Sequence, residues 1–399
     1  MKIGILQETK NPPDKRVPLS PKQCRYILDS SPLNLVVQKS DIRIFDDSEY
    51  SELDIPVVDD VSDCDILLGV KEVKMDKLIP NKTYFFFSHT IKEQPYNREL
   101  LQKMLELNIK MVDWETLTSP KGPRLIGFGR YAGIVGAYNA FLAFGKKSKT
   151  YSLTPANELR DHDELNSELK KVVLPENYKI IVSGEGRVAR GAMEILTELD
   201  IKKVDETTFL NKTFDEPVYT QIGVTDYFKR IDGKAFSKFE FYKNSKGYES
   251  DFFKYAKTGN MFIAAHYWDS NSPYLFTRED AKKDDFKLKI VADISCDIDG
   301  PVASTIRPST IENPLYGYLA SEEKEVSFDH PDAIGVMAVD NLPCELPRDA
   351  SEDFGNEFIN NVLPHLLNDE EGIIKKATIC ENGELTENYK YLTNYVNNK

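Results

Sequence analysis

Cysteine and histidine are scarce, five of each in 399 residues. Cys24, Cys64, Cys296, Cys344 and Cys380 never stand as Cys-x-x-Cys. Neither a zinc site nor a disulfide framework is therefore expected, and an odd, scattered set reads as the reduced thiols of a cytoplasmic protein. The histidines are equally dispersed, so no metal is expected. Positive charge is in deficit, with 51 Lys and Arg against 65 Asp and Glu and a net charge of −14. Nucleic-acid backbones need a basic surface, so that partner class is not expected, although a local group of cations can still hold a small anion. Long apolar runs are missing too. The longest charge-free stretch, Tyr131 to Gly145, is too short to span a bilayer and contains several glycines, so it reads as a buried helix and no membrane partner is expected. The opening run Lys2-Ile3-Gly4-Ile5-Leu6 reads as a first strand rather than a targeting segment.

What is present is a globular mixture, 41% hydrophobic and 29% charged, in a chain too long for one ordinary core. The first third alternates apolar strands (Lys2–Gln7, Asn34–Gln38, Ile66–Val70, Thr83–Phe87, Lys110–Val112) with helical stretches such as Pro21–Asp29 and Pro95–Leu107. That alternation predicts an α/β fold with a doubly wound parallel sheet. A second such unit opens at Tyr178-Lys179-Ile180-Ile181-Val182-Ser183, with later strands at Met261–Ala265 and Lys289–Asp293. Thr207–Gly259, rich in aromatics and charges but poor in aliphatic pattern, reads as an insertion. Small residues from Gly127 to Ala137 predict close backbone packing where a helix crosses between domains. No internal repeat stands out.

Between a predicted strand and a predicted helix lies Gly184-x-Gly186-x-x-Ala189. The first Gly permits the tight turn, and the second lets a pyrophosphate approach the helix N-terminus. The third position needs only a small residue for helix–sheet packing. Arg187 follows the second Gly. Asp205 and Glu206 fall about 20 residues on, where a carboxylate holds the adenosine ribose, which favours NAD. Lys202, Lys203 and Lys212 keep NADP open. Glu185 fits poorly inside a phosphate loop unless it points to solvent or pairs with Arg187.

Several polar residues stand just past predicted strands. Lys71 and Glu72 follow Ile66–Val70, His89 follows Tyr84–Phe87, and Glu115 follows Met111–Asp113. Taken singly, each has a bland reading: a strand-end cation, a satisfied loop histidine, a helix cap. Arg16 and Arg124 read as solvated cations, Tyr267-Trp268 as core, and Asp340-Asn341 as turn chemistry. Their shared position alters this, because open α/β sheets bind ligands beyond the carboxyl ends of their strands.

The run Gly4-Ile5-Leu6-Gln7-Glu8-Thr9-Lys10, with Arg16-Val17-Pro18-Leu19-Ser20-Pro21, resembles the opening of the superfamily of alanine dehydrogenases, transhydrogenases and saccharopine dehydrogenases. Later segments resemble its lysine-forming saccharopine dehydrogenases and the lysine–ketoglutarate reductase half of aminoadipate semialdehyde synthase. These are Phe87-Ser88-His89-Thr90-Ile91-Lys92, Tyr267-Trp268 with Asn271-Ser272-Pro273, Ala292-Asp293-Ile294-Ser295-Cys296-Asp297 and Asp340-Asn341-Leu342-Pro343. The resemblance covers nearly the whole chain.

It implies two Rossmann-like domains flanking a cleft. Residues 1–140 and 341–399 would form a discontinuous substrate domain, and residues 141–340 a dinucleotide domain carrying the insertion. It also implies NAD(P)-linked interconversion of saccharopine with lysine and 2-oxoglutarate, with NAD the expected coenzyme. By matching position, Lys71 and His89 take the acid–base roles, and Glu72 and Glu115 tune them. Arg16, Gln94, Arg124 and Phe128 would bind the carboxylate-rich substrate, with Ser295, Cys296 and Asp297 where it meets the nicotinamide. Gly184, Gly186, Arg187, Asp205, Tyr267, Ile294, Val339, Asp340, Asn341 and Leu342 would hold the coenzyme. Fungal members carry an arginine where this chain has Pro123, so that contact is absent or replaced. The alternatives are another amino-acid dehydrogenase of the superfamily, alanine dehydrogenase above all, or a nucleotide-binding module without catalysis.

Overall fold

Apolar runs of the first third become strands in the computed structural model, which describes residues 1–10 and 13–398. They are β1 (Lys2–Ile5), β2 (Asn34–Gln38), β3 (Val57–Val58), β4 (Ile66–Lys71), β5 (Thr83–Phe87) and β6 (Lys110–Asp113). All pair in parallel, in the order β6-β5-β4-β1-β2-β3. Successive side chains leave a strand on opposite faces. Leu68, Phe85 and Val112 enter one core with Cys24 and Ile27 of helix Pro21–Ser30 and with Phe354 and Phe358. Their chain neighbours Leu67, Tyr84, Phe86 and Met111 enter another with Leu100, Leu101 and Met104 of helix Arg98–Glu106. Helices thus cover both faces, and so β4 and β5 read as unbroken apolar runs. Helix Pro21–Ser30 starts where the Gln23 side-chain oxygen accepts from the Ser20 N–H at 2.9 Å and Pro21 takes a first-turn position.

Helix Gly129–Ser148 opens a second unit. Its strands are β7 (Lys179–Ser183), β8 (Lys202–Lys203), β9 (Val218–Ile222), β10 (Phe228–Arg230), β11 (Tyr248–Ser250), β12 (Met261–Ala264), β13 (Ile290–Asp293), β14 (Leu315–Leu319), β15 (Lys324–Val326) and β16 (Ile334–Met337). The sheet runs β15-β14-β16-β13-β12-β7-β9-β8, and β10 and β11 pair as a separate ribbon. Pairing is parallel except along β14, which runs against both β15 and β16. Gly133 on the opening helix meets helix Arg187–Glu198 backbone to backbone. A Cβ at Gly133 would lie 1.9 Å from the Val188 carbonyl oxygen, and one at Gly191 would lie 1.9 Å from that of Arg130. Only glycine allows this approach. Arg130 locks it by donating from two nitrogens to the Glu194 carboxylate, at 2.8 and 2.7 Å.

The chain then returns to the first unit with helix Pro347–Asn361, β17 (Thr378–Glu381) and β18 (Glu384–Leu385). β17 pairs antiparallel with β6 and completes the first sheet as β18-β17-β6-β5-β4-β1-β2-β3. The fold class is thus two mostly parallel, doubly wound, Rossmann-like sheets.

The two units are Met1–Phe128 with Pro347–Lys399, and Gly129–Leu346. The expected divisions after residues 140 and 340 shift for physical reasons. The first would cut helix Gly129–Ser148, whose glycines seat it on its own unit. The second would detach Glu345, which accepts a hydrogen bond from Asn139 of that helix at 3.0 Å. The predicted insertion, Thr207–Gly259, is corrected as well. It contains β9, which pairs with β7 and belongs to the sheet itself. The alternation was hidden because Thr220 and Gln221 interrupt the apolar pattern, although Thr220 is buried. No helix among the described residues is long and apolar enough to cross a membrane.

Candidate functional site

In the first unit the C-terminal end of β4 is irregular. Leu68 pairs with Phe85, but Lys71 pairs with Phe87, so β4 carries one residue more than β5 between these points. Such a bulge breaks the ladder and re-aims the side chain after it. Side chains repair the break. The Trp114 indole N–H donates to the Gly69 carbonyl at 2.8 Å. The Val70 and Lys71 N–H groups donate to the two carboxyl oxygens of Glu8, at 2.6 and 2.9 Å. Glu8 is fully enclosed, and burial pushes its carboxyl up to about 8. It therefore fixes the backbone on which Lys71 stands. Sequence reasoning missed Glu8 because a residue that bonds only backbone leaves no pattern signal.

His89 is set from the neighbouring strand. Ser88 is buried, and both its N–H and its hydroxyl donate to the Asp113 carboxylate at the end of β6. This turn holds His89 in the left-handed region, at φ 55°, which is uncommon for a side-chain-bearing residue. Its imidazole stacks near Phe87 with ring centroids 6.5 Å apart. Burial lowers the imidazole to about 4, helped by the positive charges of Lys71 and Lys92 and opposed by Glu115 and Glu72. His89 is thus neutral at physiological pH and within the field of Lys71.

Glu72 accepts from Lys10 at 2.7 Å. Glu115 accepts from Arg124 at 3.2 Å and lies 3.6 Å from Lys92. Each of these carboxylates keeps a second, buried oxygen without a partner. Lys71, Glu72, Glu115 and Arg124 therefore form one charged group around the neutral His89 past the carboxyl ends of β4, β5 and β6, joined by Lys10 and Lys92, which the sequence analysis did not select.

Phe128 lies next to this group, 6.0 Å from Phe87, the ring beside His89, and it carries Arg16 with it. Arg16 is buried and directs Nε and Nη2 at Asp14, at 3.0 and 2.6 Å. Its guanidinium lies over Phe128, 4.2 Å from the ring centroid, and Phe128 stacks on Phe354 at 4.5 Å. Gln94 is exposed, and its carbonyl accepts from the Tyr395 hydroxyl at 2.6 Å.

In the second unit a cavity of about 470 Å³ lies past the carboxyl ends of β7, β9, β12 and β13. Gly184, Glu185, Gly186, Arg187, Val224, Tyr242, His266, Tyr267, Ser295 and Asp297 contribute to its lining. Gly184 has φ +100°, and a Cβ there would press on the Ala265 carbonyl at 2.5 Å. Gly186 caps the twelve-residue helix Arg187–Glu198, and nothing lies within 4 Å of where its Cβ would be. Ala189 is buried in that helix. Strained turn, open glycine, bare helix N-terminus and small packing residue all fit a dinucleotide pyrophosphate.

Asp293 organises the far side of the cavity. Buried at the end of β13, it accepts from Ser295, from the Cys296 N–H and from Thr305. Burial, helped by the nearby Asp293 carboxylate, lifts Asp297 to about 6. His266 was not selected from the sequence. Its Nδ1 lies 2.7 Å from the Ser183 hydroxyl, its Nε2 is buried without a partner, and burial lowers it to about 4.

Six of the residues expected to hold the coenzyme fall outside this cavity. Asp205 follows β8, the outer edge strand, and its carboxylate caps a helix by accepting from the Thr208 N–H at 3.0 Å. Ile294 packs on the opening helix, where a Cβ at Gly136 would meet it at 2.5 Å. Val339 and Leu342 are buried in their unit, and Asp340 is exposed beside Asn341. Among the described residues no group of three or more His, Cys, Asp or Glu side chains is placed to hold a metal.

Residues 4–135 match the family model described as "Alanine dehydrogenase/PNT, N-terminal domain". The chain is 30% identical to the alpha-aminoadipic semialdehyde synthase of Arabidopsis thaliana, over 98% of this chain and 41% of that protein. It is 24% identical to the "Saccharopine dehydrogenase [NAD(+), L-lysine-forming]" of Emericella nidulans, over 91% of each. The chain thus spans less than half the length of the synthases it matches. The solved structure of an L-alanine dehydrogenase superposes with a TM-score of 0.65 at 15% identity, over 100% of this chain and 99% of that one.

Proposed function

We propose, for a chain that belongs to the family of oxidoreductases uniting alanine dehydrogenase, transhydrogenase and the lysine-forming saccharopine dehydrogenases, that it interconverts saccharopine with L-lysine and 2-oxoglutarate. The family is nicotinamide-dependent. Gly184, Gly186, Arg187 and Tyr267 would hold the coenzyme here, which when bound takes up or gives back the hydride of the secondary-amine carbon.

The observation that carries the acid–base assignment is the placement of the buried His89 imidazole beside the Lys71 side chain, at the ends of adjacent strands, where Lys71 as the free amine can take up a proton. In the hydrolytic direction Lys71 accepts the proton of the secondary amine as that carbon is oxidised. Water then adds to the substrate imine, and the carbinolamine collapses to lysine and 2-oxoglutarate. His89 takes the proton from the water and passes one to the departing amine, a role that needs a base free at neutral pH. Glu72 and Glu115 temper the cationic surroundings. Arg124 at the rim is suited to a substrate carboxylate, as guanidinium forks are.

The test is consumption of NADH and NADPH, followed by absorbance, with lysine plus 2-oxoglutarate and separately with pyruvate plus ammonia. Turnover with the lysine pair alone is expected. Turnover only with pyruvate and ammonia would replace this reading with alanine dehydrogenase. Coenzyme binding without turnover of either pair would reduce the protein to a nucleotide-binding module.

A further inference from the structure

In a doubly wound nucleotide fold, the coenzyme's adenosine half lies over the strand next to the phosphate-loop strand, and a carboxylate from that strand's end holds the ribose hydroxyls. β7 lies between β12 and β9, and the strand on its β8 side is β9, not β8 itself. β9 ends at Ile222, and the next residue is Gly223, which has no side chain to offer. Asp205 stands one strand further out, with its carboxylate engaged as a helix cap.

A different carboxylate lies over that strand end. A Cβ at Gly223 would meet Cδ and Oε2 of Glu185, each at 3.1 Å. Glu185 comes from the middle of the phosphate loop, between Gly184 and Gly186, and lines the same cavity as Val224 and Tyr242. Its Oε2 accepts from Lys238 Nζ at 2.8 Å. Lys238 and Tyr242 both belong to the short helix Lys238–Lys243, one turn apart. The residue that looked misplaced inside a phosphate loop is thus swung sideways, away from the pyrophosphate path and onto the end of β9.

We propose that Glu185 reads the 2′ position of the coenzyme, accepting hydrogen bonds from the ribose hydroxyls and repelling a 2′-phosphate, with Lys238 as the counter-ion that orients it. This rests on the dinucleotide reading above and deepens it by naming the coenzyme, NADH rather than NADPH. The chemistry is direct. A ribose diol offers donors, and a carboxylate accepts two of them. A 2′-phosphate offers only further negative charge and has to displace Lys238 from Glu185, leaving two anions side by side. The Glu185–Lys238 pair carries no net charge, so NADH meets no such conflict.

The experiment is equilibrium titration of the full chain with NADH and with NADPH, read by protein fluorescence, for wild type, Glu185→Gln and Lys238→Met. Both side chains are at the surface, so folding is not at risk, and a thermal melt checks it. The wild type should bind NADH more tightly by about tenfold or more, the scale of one charge-assisted hydrogen bond. Glu185→Gln should bring the ratio close to one, mainly by tightening NADPH, and Lys238→Met should leave NADH preferred. An unchanged ratio in Glu185→Gln overturns the proposal, as does a wild-type preference for NADPH that Lys238→Met removes. Failure of the wild type to bind either coenzyme would overturn the dinucleotide reading itself. Binding of both with a Glu185-independent ratio would overturn only the selection.

Discussion

Replacing Gly133 by alanine sets two effects against each other. Gly133 sits inside helix Gly129–Ser148, where alanine would ordinarily stabilise by about 1 kcal/mol. The added methyl, however, would lie 1.9 Å from the Val188 carbonyl oxygen, 2.7 Å from the Ala192 nitrogen and 2.9 Å from the Val188 carbonyl carbon. These are backbone atoms of a helix, so no rotamer can yield, and the axes must part by roughly 1.5 Å to restore ordinary contact. Overpacking of this sort costs about 1 to 3 kcal/mol where side chains can adjust, and the upper end applies where they cannot. The clash wins, and a net loss of about 2 kcal/mol is expected in urea denaturation followed by circular dichroism. Val188 also belongs to the first turn after the phosphate loop, so NADH affinity should fall with stability. Gly191→Ala repeats the clash from the other helix, against Arg130 at 1.9 Å. The double variant should lose less than the sum of the two, because axes once parted accommodate the second methyl. Gly247→Ala, with nothing within 4 Å, serves as the control and should change stability by less than about 0.5 kcal/mol. A Gly133→Ala protein as stable as wild type would refute the backbone-contact argument.

Lys71→Met should lower turnover by at least about a hundredfold while leaving NADH binding within about twofold, measured by steady-state rates beside a fluorescence titration. Lys92→Met removes one of the positive charges that hold His89 low, so the acidic limb of the pH–rate profile should move to higher pH; an unmoved limb would take His89 out of the profile. His266, near 4 when folded and about 6.5 when unfolded, takes up its proton more readily in the unfolded chain than in the folded one. Stability is therefore present above about pH 6.5 and falls as the solution is acidified towards 4, by about 1 to 3 kcal/mol. The difference in unfolding free energy between wild type and His266→Gln should accordingly shrink from pH 7 to pH 4.5, and a constant difference would contradict the assignment.

The legible parts of the fold were strands buried on both faces. Ile66–Val70 and Thr83–Phe87 declare themselves by composition alone, and the first runs one residue further, to Lys71. β14 and β16, which carry Tyr316, Tyr318 and two glycines, and β9, with its Thr and Gln, were hidden because their burial comes from the surrounding sheet. The strand-end positions of Lys71 and His89 were legible because the apolar runs before them are unbroken. Asp205 was misread for a related reason: a spacing of about twenty residues counts positions along the chain but says nothing of strand order, and here the next strand in sequence is not the next in space. Glu185 looked like an obstacle, since its partner, Lys238, stands 53 residues away.

The late return of the chain to its first sheet has a consequence for biosynthesis. Trp114 is packed edge-on by Phe354 and Phe358, at 5.3 and 6.0 Å, and β6 is bordered by β17. All of these partners are translated after the whole second unit, Gly129–Leu346. A ribosome that has just completed Leu346 therefore carries one unit with its sequence complete and another with a raw, hydrogen-bond-hungry edge and an uncovered indole. Nascent chains at that stage are the ones most open to strand-pairing with one another, and holding them apart is work for a chaperone until residues 347–381 emerge.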